Sequence, residues 1–279
     1  MNKLSQDAID AAVKAALAED LGDVGDITCN ALIPEGMQST ASIVARADGI
    51  LCGMPCALTT LRMVDDTLNI KVHKNDGDVL QIGDVIATLQ GNARSILTAE
   101  RTALNFLTHL SGIATLTSRF VKEISGTKAK ILCTRKTHAG LRALEKYAVR
   151  VGGALNHRFG LYDAVLIKDN HLAAVGSISA AVQKARTAVG KFIKIEIEVD
   201  TIEQLREAIT TDADVIMLDN FNIERLREAV QLVAGSVALE ASGGINLQTI
   251  RSVAETGVDF ISVGAITHSA QALDIAIDF

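Results

Sequence analysis

The chain has 279 residues, enough for one or two domains with a substantial core. Hydrophobic residues make up 48% and charged residues 22%, values that exclude a disordered chain. A net charge of −6, no Trp and 3% aromatics argue against a nucleic-acid partner, which needs a positive field and stacking platforms.

The N-terminus, Met1-Asn2-Lys3-Leu4, lacks the apolar core of a signal peptide. Residues 6–20 read as a helix with Ile9, Val13 and Leu17 on one face, stopping near Gly22. From about residue 40 the period changes. Residues 42–47, 68–72 and 85–89 read as short strands separated by the turns Asp48-Gly49, Asp76-Gly77 and Gly83-Asp84. Thr98 is then expected to cap a long helix, Ala99 to Ile124. The longest uncharged stretch, Thr102–Ser118, carries Asn105, His109 and several hydroxyls, so no membrane span or membrane partner is expected. Cys29, Cys52, Cys56 and Cys133 form no Cys-x-x-Cys pair; they read as reduced, buried thiols of a cytoplasmic protein.

From Ala129 onward strands and helices alternate. Residues 130–136, 164–168, 194–198, 214–219, 237–242 and 259–264 read as six buried strands, with helices such as Ile223–Val233 and Leu247–Thr256 between them. The last four strand ends fall at 198, 219, 242 and 264, a repeat of 21 to 23 residues. This rhythm predicts a parallel sheet in an α/β fold: a small N-terminal α/β domain followed by an incomplete (β/α) barrel, with a doubly wound open sheet as the alternative. The domains are placed at 1–110 and 111–279, the C-terminal tail completing the first.

The strands end in ionisable residues or glycines, and in a barrel the carboxyl ends carry the chemistry. Arg142, Lys146 and Arg150 recur every fourth residue around Glu145 and read as a solvated helix face without function. Arg135, Lys136, His157, Arg158 and Lys168 stand instead at strand ends or in a Gly-rich loop, and cations gathered there imply a substrate with more than one negative group. Glu198 and Asp219 end two apolar strands. They suit a substrate hydroxyl, a hard cation such as Mg²⁺, or a developing positive charge, unless they merely neutralise Lys136 and Lys168. Glu196 shares the face of Glu198 but lies deeper. Ser242-Gly243-Gly244 and Gly264-Ala265 each follow a strand and precede a helix, an arrangement that can cradle a phosphate.

The runs Glu100-Arg101-Thr102-Ala103-Leu104-Asn105, Thr134-Arg135-Lys136-Thr137, Asn156-His157-Arg158-Phe159-Gly160-Leu161, Leu166-Ile167-Lys168-Asp169-Asn170-His171, Glu196-Ile197-Glu198-Val199, Met217-Leu218-Asp219-Asn220 and Glu240-Ala241-Ser242-Gly243-Gly244-Ile245 closely resemble those of the quinolinate phosphoribosyltransferase (decarboxylating) family. The resemblance runs nearly end to end, including Glu19-Asp20-Leu21-Gly22 and Gly25-Asp26-Ile27-Thr28. It implies a pentosyltransferase of NAD biosynthesis that joins quinolinate to phosphoribosyl pyrophosphate with Mg²⁺ and releases CO2. It also implies a homo-oligomer in which Arg101 completes the neighbouring subunit's site. Two departures, His138-Ala139 where the family usually has Pro at 139, and Ala154 in place of a glycine, concern loop rigidity more than charge.

On that resemblance Arg101, Thr134, Arg135, His157, Arg158 and Lys168 bind substrate, Lys136 is shared toward the ribosyl donor, and Lys136, Glu198 and Asp219 are the catalytic set. Glu198 and Asp219 would also hold Mg²⁺, and Ser242, Gly243, Gly244, Gly264 and Ala265 the 5-phosphate. His73, His109 and His138 stay without a role. The rival readings are a molybdenum-transport-associated paralogue with another acceptor, a Schiff-base aldolase using Lys168 or Lys136, and a non-catalytic binding module.

Overall fold

The structure, a computed structural model, describes residues 4–279. The signal-peptide reading of Met1, Asn2 and Lys3 lies outside the described residues. In chain order the first half comprises α1 (Gln6–Leu21), α2 (Ile27–Leu32), β1 (Gln38–Ala45), β2 (Gly49–Ile50), α3 (Met54–Val64), β3 (Asn69–Val72), β4 (Val79–Leu80), β5 (Val85–Asn92) and α4 (Ala93–Glu123). There follow β6 (Lys130–Leu132), α5 (Arg142–Val151), β7 (Val165–Ile167), α6 (Asp169–Val175), α7 (Ile178–Val189), β8 (Ile195–Val199), α8 (Ile202–Ala208) and β9 (Val215–Asp219). The last elements are α9 (Ile223–Val233), β10 (Ala238–Ser242), α10 (Ile250–Ala254), β11 (Phe260–Ser262), α11 (Ala265–His268) and β12 (Ile275–Asp278). These elements fall into two compact units.

The first unit holds residues up to Ser118 together with 137–153 and 266–279. Its sheet is antiparallel in the order β12-β1-β5-β3. Alternation along β1 and β5 turns Ala41, Ile43, Ala87 and Leu89 inward, where they meet Leu61 of α3, Ile96 and Leu107 of α4, and Ile275 of β12 in one buried cluster. Burial of this apolar surface supplies most of the unit's stability, at about 25 cal/mol per Å² removed from water. The C-terminal strand is thus part of the sheet, Ser42 opposite Asp278.

Helix α4 starts six residues before its predicted first residue, Ala99. The Asn92 side-chain oxygen accepts the N–H groups of Arg94 (2.9 Å) and Ser95 (3.4 Å), so the cap sits at the end of β5. Thr98, one turn into the helix, donates instead to Asp26 Oδ2 at 3.1 Å. The expected solvated face of α5 is also overturned. Glu145 is fully buried and Lys146 is 1% exposed, while Tyr147 reaches Asp76 Oδ2 at 2.8 Å. Charge spacing records which side chains share a helix face, but not whether another element covers it. Here Gly152, just past α5, lies against the Ala114 and Thr117 backbone and side chain of α4.

The second unit, residues 119–136 and 154–265, contains six parallel strands in the order β6-β11-β10-β9-β8-β7. All six predicted strands are present. From β7 to β11 successive strands are neighbours, and the last, β11, pairs with the first, β6. A doubly wound sheet would reverse direction at an interior strand. This single direction of winding is that of a barrel, incomplete between β6 and β7, where Leu155 alone bridges to Leu132. Helix α9 matches its predicted bounds. Helix α10 is shorter than the predicted Leu247–Thr256, because the Asn246 side chain accepts the N–H groups of Gln248 and Thr249 and holds a turn there.

Among the described residues no helix is long and apolar enough to cross a membrane. All four cysteines are buried free thiols.

Docking of the C-terminal segment depends on Gly112 in α4: a Cβ there would stand 2.1 Å from the Gln271 carbonyl oxygen, one turn from where Leu273 N–H donates to Thr108 O at 2.9 Å. Gly112→Ala is therefore expected to cost about 3 kcal/mol through overpacking. A urea midpoint equal to that of the native chain would contradict this packing.

Candidate active site

Because the six strands are parallel, their carboxyl ends share one rim, and every strand-end residue of the second unit that the sequence singled out lies there. Thr134, Arg135 and Lys136 follow β6, Lys168 follows β7, and Glu198 is the penultimate residue of β8. Asp219 and Ser242 close β9 and β10 directly opposite one another, and Gly264 follows β11. Arg101 belongs to the first unit, where it is exposed on α4.

Local hydrogen bonds fix the loops that carry these groups. Thr134 Oγ1 accepts the Lys136 N–H at 3.0 Å and so shapes the turn after β6. The Asp163 carboxylate accepts the N–H groups of Phe159 (2.6 Å) and Gly160 (2.8 Å), curling the loop behind Arg158. At the start of α6 the Lys168 N–H donates to His171 Nδ1 at 2.9 Å.

The defining electrostatic feature is a pair of half-buried arginines. Arg158 Nη1 donates to the Ala164 carbonyl at 3.1 Å, yet its Nε and that of Arg135 are both buried without a hydrogen-bond partner. Burial, and then the charge of Arg135, hold the Arg158 guanidinium below its ordinary pKa, against the opposing pull of Glu196 and Asp163. Two like charges held this near each other with donors unspent form an anion-binding arrangement.

Below them sits an acidic cluster that the sequence reading largely missed. His157 Nε2 lies 2.6 Å from Glu196 Oε2 and 3.8 Å from Glu240 Oε2. The histidine therefore spends one ring nitrogen on a buried carboxylate, and Glu196, read from the sequence as lying deeper than Glu198, is its partner. Glu240 is 1% exposed. Burial, followed by the neighbouring charge of Glu196, pushes its carboxyl well above the usual glutamate range. One signal pointed to Glu240: it is the single acid of an apolar strand, on the face of Ser242 by the two-residue period.

Lys168 Nζ pairs with Glu198 Oε2, so the neutralising role weighed for the acids applies to this one. Asp219 Oδ2 accepts from Asn220 Nδ2 at 2.6 Å. Asn220 has φ +55°, and its own N–H donates to Ser242 O at 2.9 Å. A Cβ on Gly243 would meet Asn220 Oδ1 at 2.1 Å, which makes this glycine a packing requirement of the β9 and β10 ends. The expectation that both glycine turns open helices holds for one only. Gly264 immediately precedes α11, a single turn, whereas α10 begins at Ile250, beyond the Asn246 turn.

The chain matches the family model for the quinolinate phosphoribosyl transferase N-terminal domain over residues 26–111 and that for the C-terminal domain over residues 113–278. It is 47% identical to a probable nicotinate-nucleotide pyrophosphorylase (carboxylating) of Bacillus subtilis, over 93% of this chain and 89% of that one. It is likewise 47% identical to a nicotinate-nucleotide pyrophosphorylase (carboxylating) of Mycobacterium leprae, over 98% and 97%. Its structure is similar to that of the nicotinate-nucleotide pyrophosphorylase from Francisella tularensis, with a TM-score of 0.95 and 45% identity over 99% of this chain and 98% of the other.

The raised Glu240 carboxyl has a consequence for stability. Between the ordinary glutamate value of 4.5 and its higher value in the fold, the native state keeps a proton that the unfolded chain releases, so stability falls as pH rises through that window. Glu240→Gln removes this titration. Its urea midpoint is expected to exceed that of the native chain at about pH 8, with the gap closing toward about pH 4.5. A constant gap across that range would show that Glu240 does not hold its proton.

Proposed function

For a chain that belongs to the quinolinate phosphoribosyltransferase family, we propose that the rim of the incomplete barrel gathers quinolinate on Arg135 and Arg158 beside a bound phosphoribosyl donor. The reaction transfers the phosphoribosyl group of phosphoribosyl pyrophosphate to quinolinate with loss of CO2, giving nicotinate mononucleotide and pyrophosphate, a step of de novo NAD biosynthesis. The observation that carries the assignment of the site is the arginine pair: two neighbouring guanidinium groups, each with a buried donor unspent.

Quinolinate is a pyridine with two adjacent carboxylates, and it answers both charges at once. His157, Lys168 and Thr134 complete its pocket, and Lys136 faces the pyrophosphate of the donor. The pyridine nitrogen attacks the anomeric carbon as pyrophosphate departs, and positive charge grows on the ribose ring. Glu198 and Asp219 orient the ribose hydroxyls and oppose that charge; fixed carboxylates in a water-poor site are effective because they need no reorganisation. Once the ring nitrogen is quaternised, the electron pair of the breaking C2–carboxylate bond stays on C2 beside the positive nitrogen and takes up a proton from solvent as CO2 leaves, so no protein nucleophile takes part.

The donor set also suits Mg²⁺, since Glu198 and Asp219 offer hard carboxylate oxygens at the ends of neighbouring strands. When bound, Mg²⁺ supplies charge neutralisation for the pyrophosphate. The backbone at Ser242, Gly243, Gly244, Gly264 and Ala265 receives the 5-phosphate. Arg101, exposed on α4, is contributed to a neighbouring subunit's site in a homo-oligomer. The four buried free thiols fit a reducing compartment, the cytoplasm. The Lys168–Glu198 pair disfavours the aldolase reading for Lys168, because it ties Nζ to a carboxylate instead of leaving it free to attack a carbonyl carbon.

The test is to incubate the pure chain with quinolinate, phosphoribosyl pyrophosphate and Mg²⁺ and to follow mononucleotide and CO2. Both are expected, and a chelator is expected to abolish them; turnover of another acceptor but not of quinolinate would favour the paralogue. Arg135→Ala and Arg158→Ala each leave a substrate carboxylate without its charge-assisted partner, a loss of about 2 kcal/mol or more, close to thirtyfold in affinity. Isothermal titration with unchanged quinolinate affinity in both variants would remove the arginine pair from the site.

A further inference from the structure

We propose that His109, His138 and Glu145 form a binding site for one zinc-class divalent ion, separate from the strand-end residues described above. The Glu145 side chain is completely buried on α5, an expensive place for a carboxylate. Its Oε1 meets His109 Nε2 at 2.9 Å and His138 Nδ1 at 2.6 Å, and its Oε2 accepts the His138 backbone N–H at 3.2 Å. The ligand atoms of the three residues all lie within 4.8 Å of one another. The two rings stand edge to face with centroids 5.2 Å apart, so their nitrogens converge on the carboxylate from different directions.

Two imidazole nitrogens and one carboxylate oxygen are the donor types of three-ligand zinc sites; Mg²⁺, which prefers oxygen, is not served by them. The His138 side chain is 54% exposed and that of His109 is 27% exposed, which leaves a route for the ion and room for a water as fourth ligand. The present separations are hydrogen-bond lengths. Four-coordinate zinc, with bonds near 2.0–2.1 Å, spreads its ligand atoms to roughly 3.3 Å, so binding opens the cluster by about half an ångström. The exposed stretch around His138 can take up that movement. To bind the ion, each ring nitrogen facing Glu145 must be unprotonated, so each neutral imidazole carries its proton on the opposite ring nitrogen. Since His138 lies two positions after Lys136 in the chain, the ion would tether that stretch to α4 and α5.

The experiment uses the full chain, stripped with a chelator and held in excess Mg²⁺ to occupy oxygen-rich sites. Zn²⁺ is titrated by calorimetry and Co²⁺ by visible absorption. One ion per chain is expected, with the intense visible bands of four-coordinate cobalt. His109→Ala and His138→Ala are each expected to weaken binding at least tenfold and to abolish the bands while the circular dichroism spectrum is unchanged. No binding to the native chain would overturn the proposal. So would binding unaltered in both variants, which would place the ion at the His157, Glu196 and Glu240 cluster instead. None of these readouts depends on the activity of the enzyme.

Discussion

Parallel pairing in one direction of winding is the constraint on which the site depends. A parallel strand can reach its neighbour only through a crossover that carries the chain back to the same starting edge, so all carboxyl ends emerge together, and crossovers in one direction of winding curl that edge into a rim. Arg135, Lys168, Glu198, Asp219, Ser242 and Gly264 are spread over some 130 residues of chain, yet the order β6-β11-β10-β9-β8-β7 brings their strand ends to a common edge. Their apolar strands provide the rigid base. Ile131, Ile195, Ile197, Ile216, Leu218 and Ile261 are almost wholly buried, which fixes the positions from which the charged side chains project.

The same rim holds groups in environments that oppose their charge. Arg158 is partly desolvated beside another cation, and Glu240 lies buried beside another acid. Such placements are poor for stability: the Arg158 charge keeps its desolvation cost while Arg135 adds repulsion, and Glu240 escapes the same penalty by holding its proton. On the proposed function the arginine pair alone gains from a dianion, whose carboxylates would supply the missing partners where water is excluded. His157 joins the two layers, one ring nitrogen tied to Glu196 below while its neighbour in the chain is Arg158 above.

Where the sequence reading departed from the structure, the reason was contact with distant parts of the chain. The charges of α5 repeat as they would on a solvated face, but Glu145 has two imidazoles as partners and Lys146 is covered. The cap of α4 fell at Asn92, since nothing local separates the end of β5 from the start of the helix until the strand's pairing with β1 is known. Asn220 stands in a recognisable run, but its role appears only where its side chain fills the space that Gly243 leaves open.

By itself the sequence determined the six strands, the helices α1 and α9, and the identity of the charged residues at the strand ends. Those properties follow from side-chain period, turn residues and residue type, all local to a few positions. Tertiary structure alone decided which of these groups became neighbours: the arginine pair, the Lys168–Glu198 bond, the His157–Glu196–Glu240 cluster and the buried Glu145 between two histidines. Coulomb energy and desolvation depend on distance through space and on the cover above a group, and neither is encoded in the spacing of residues along the chain.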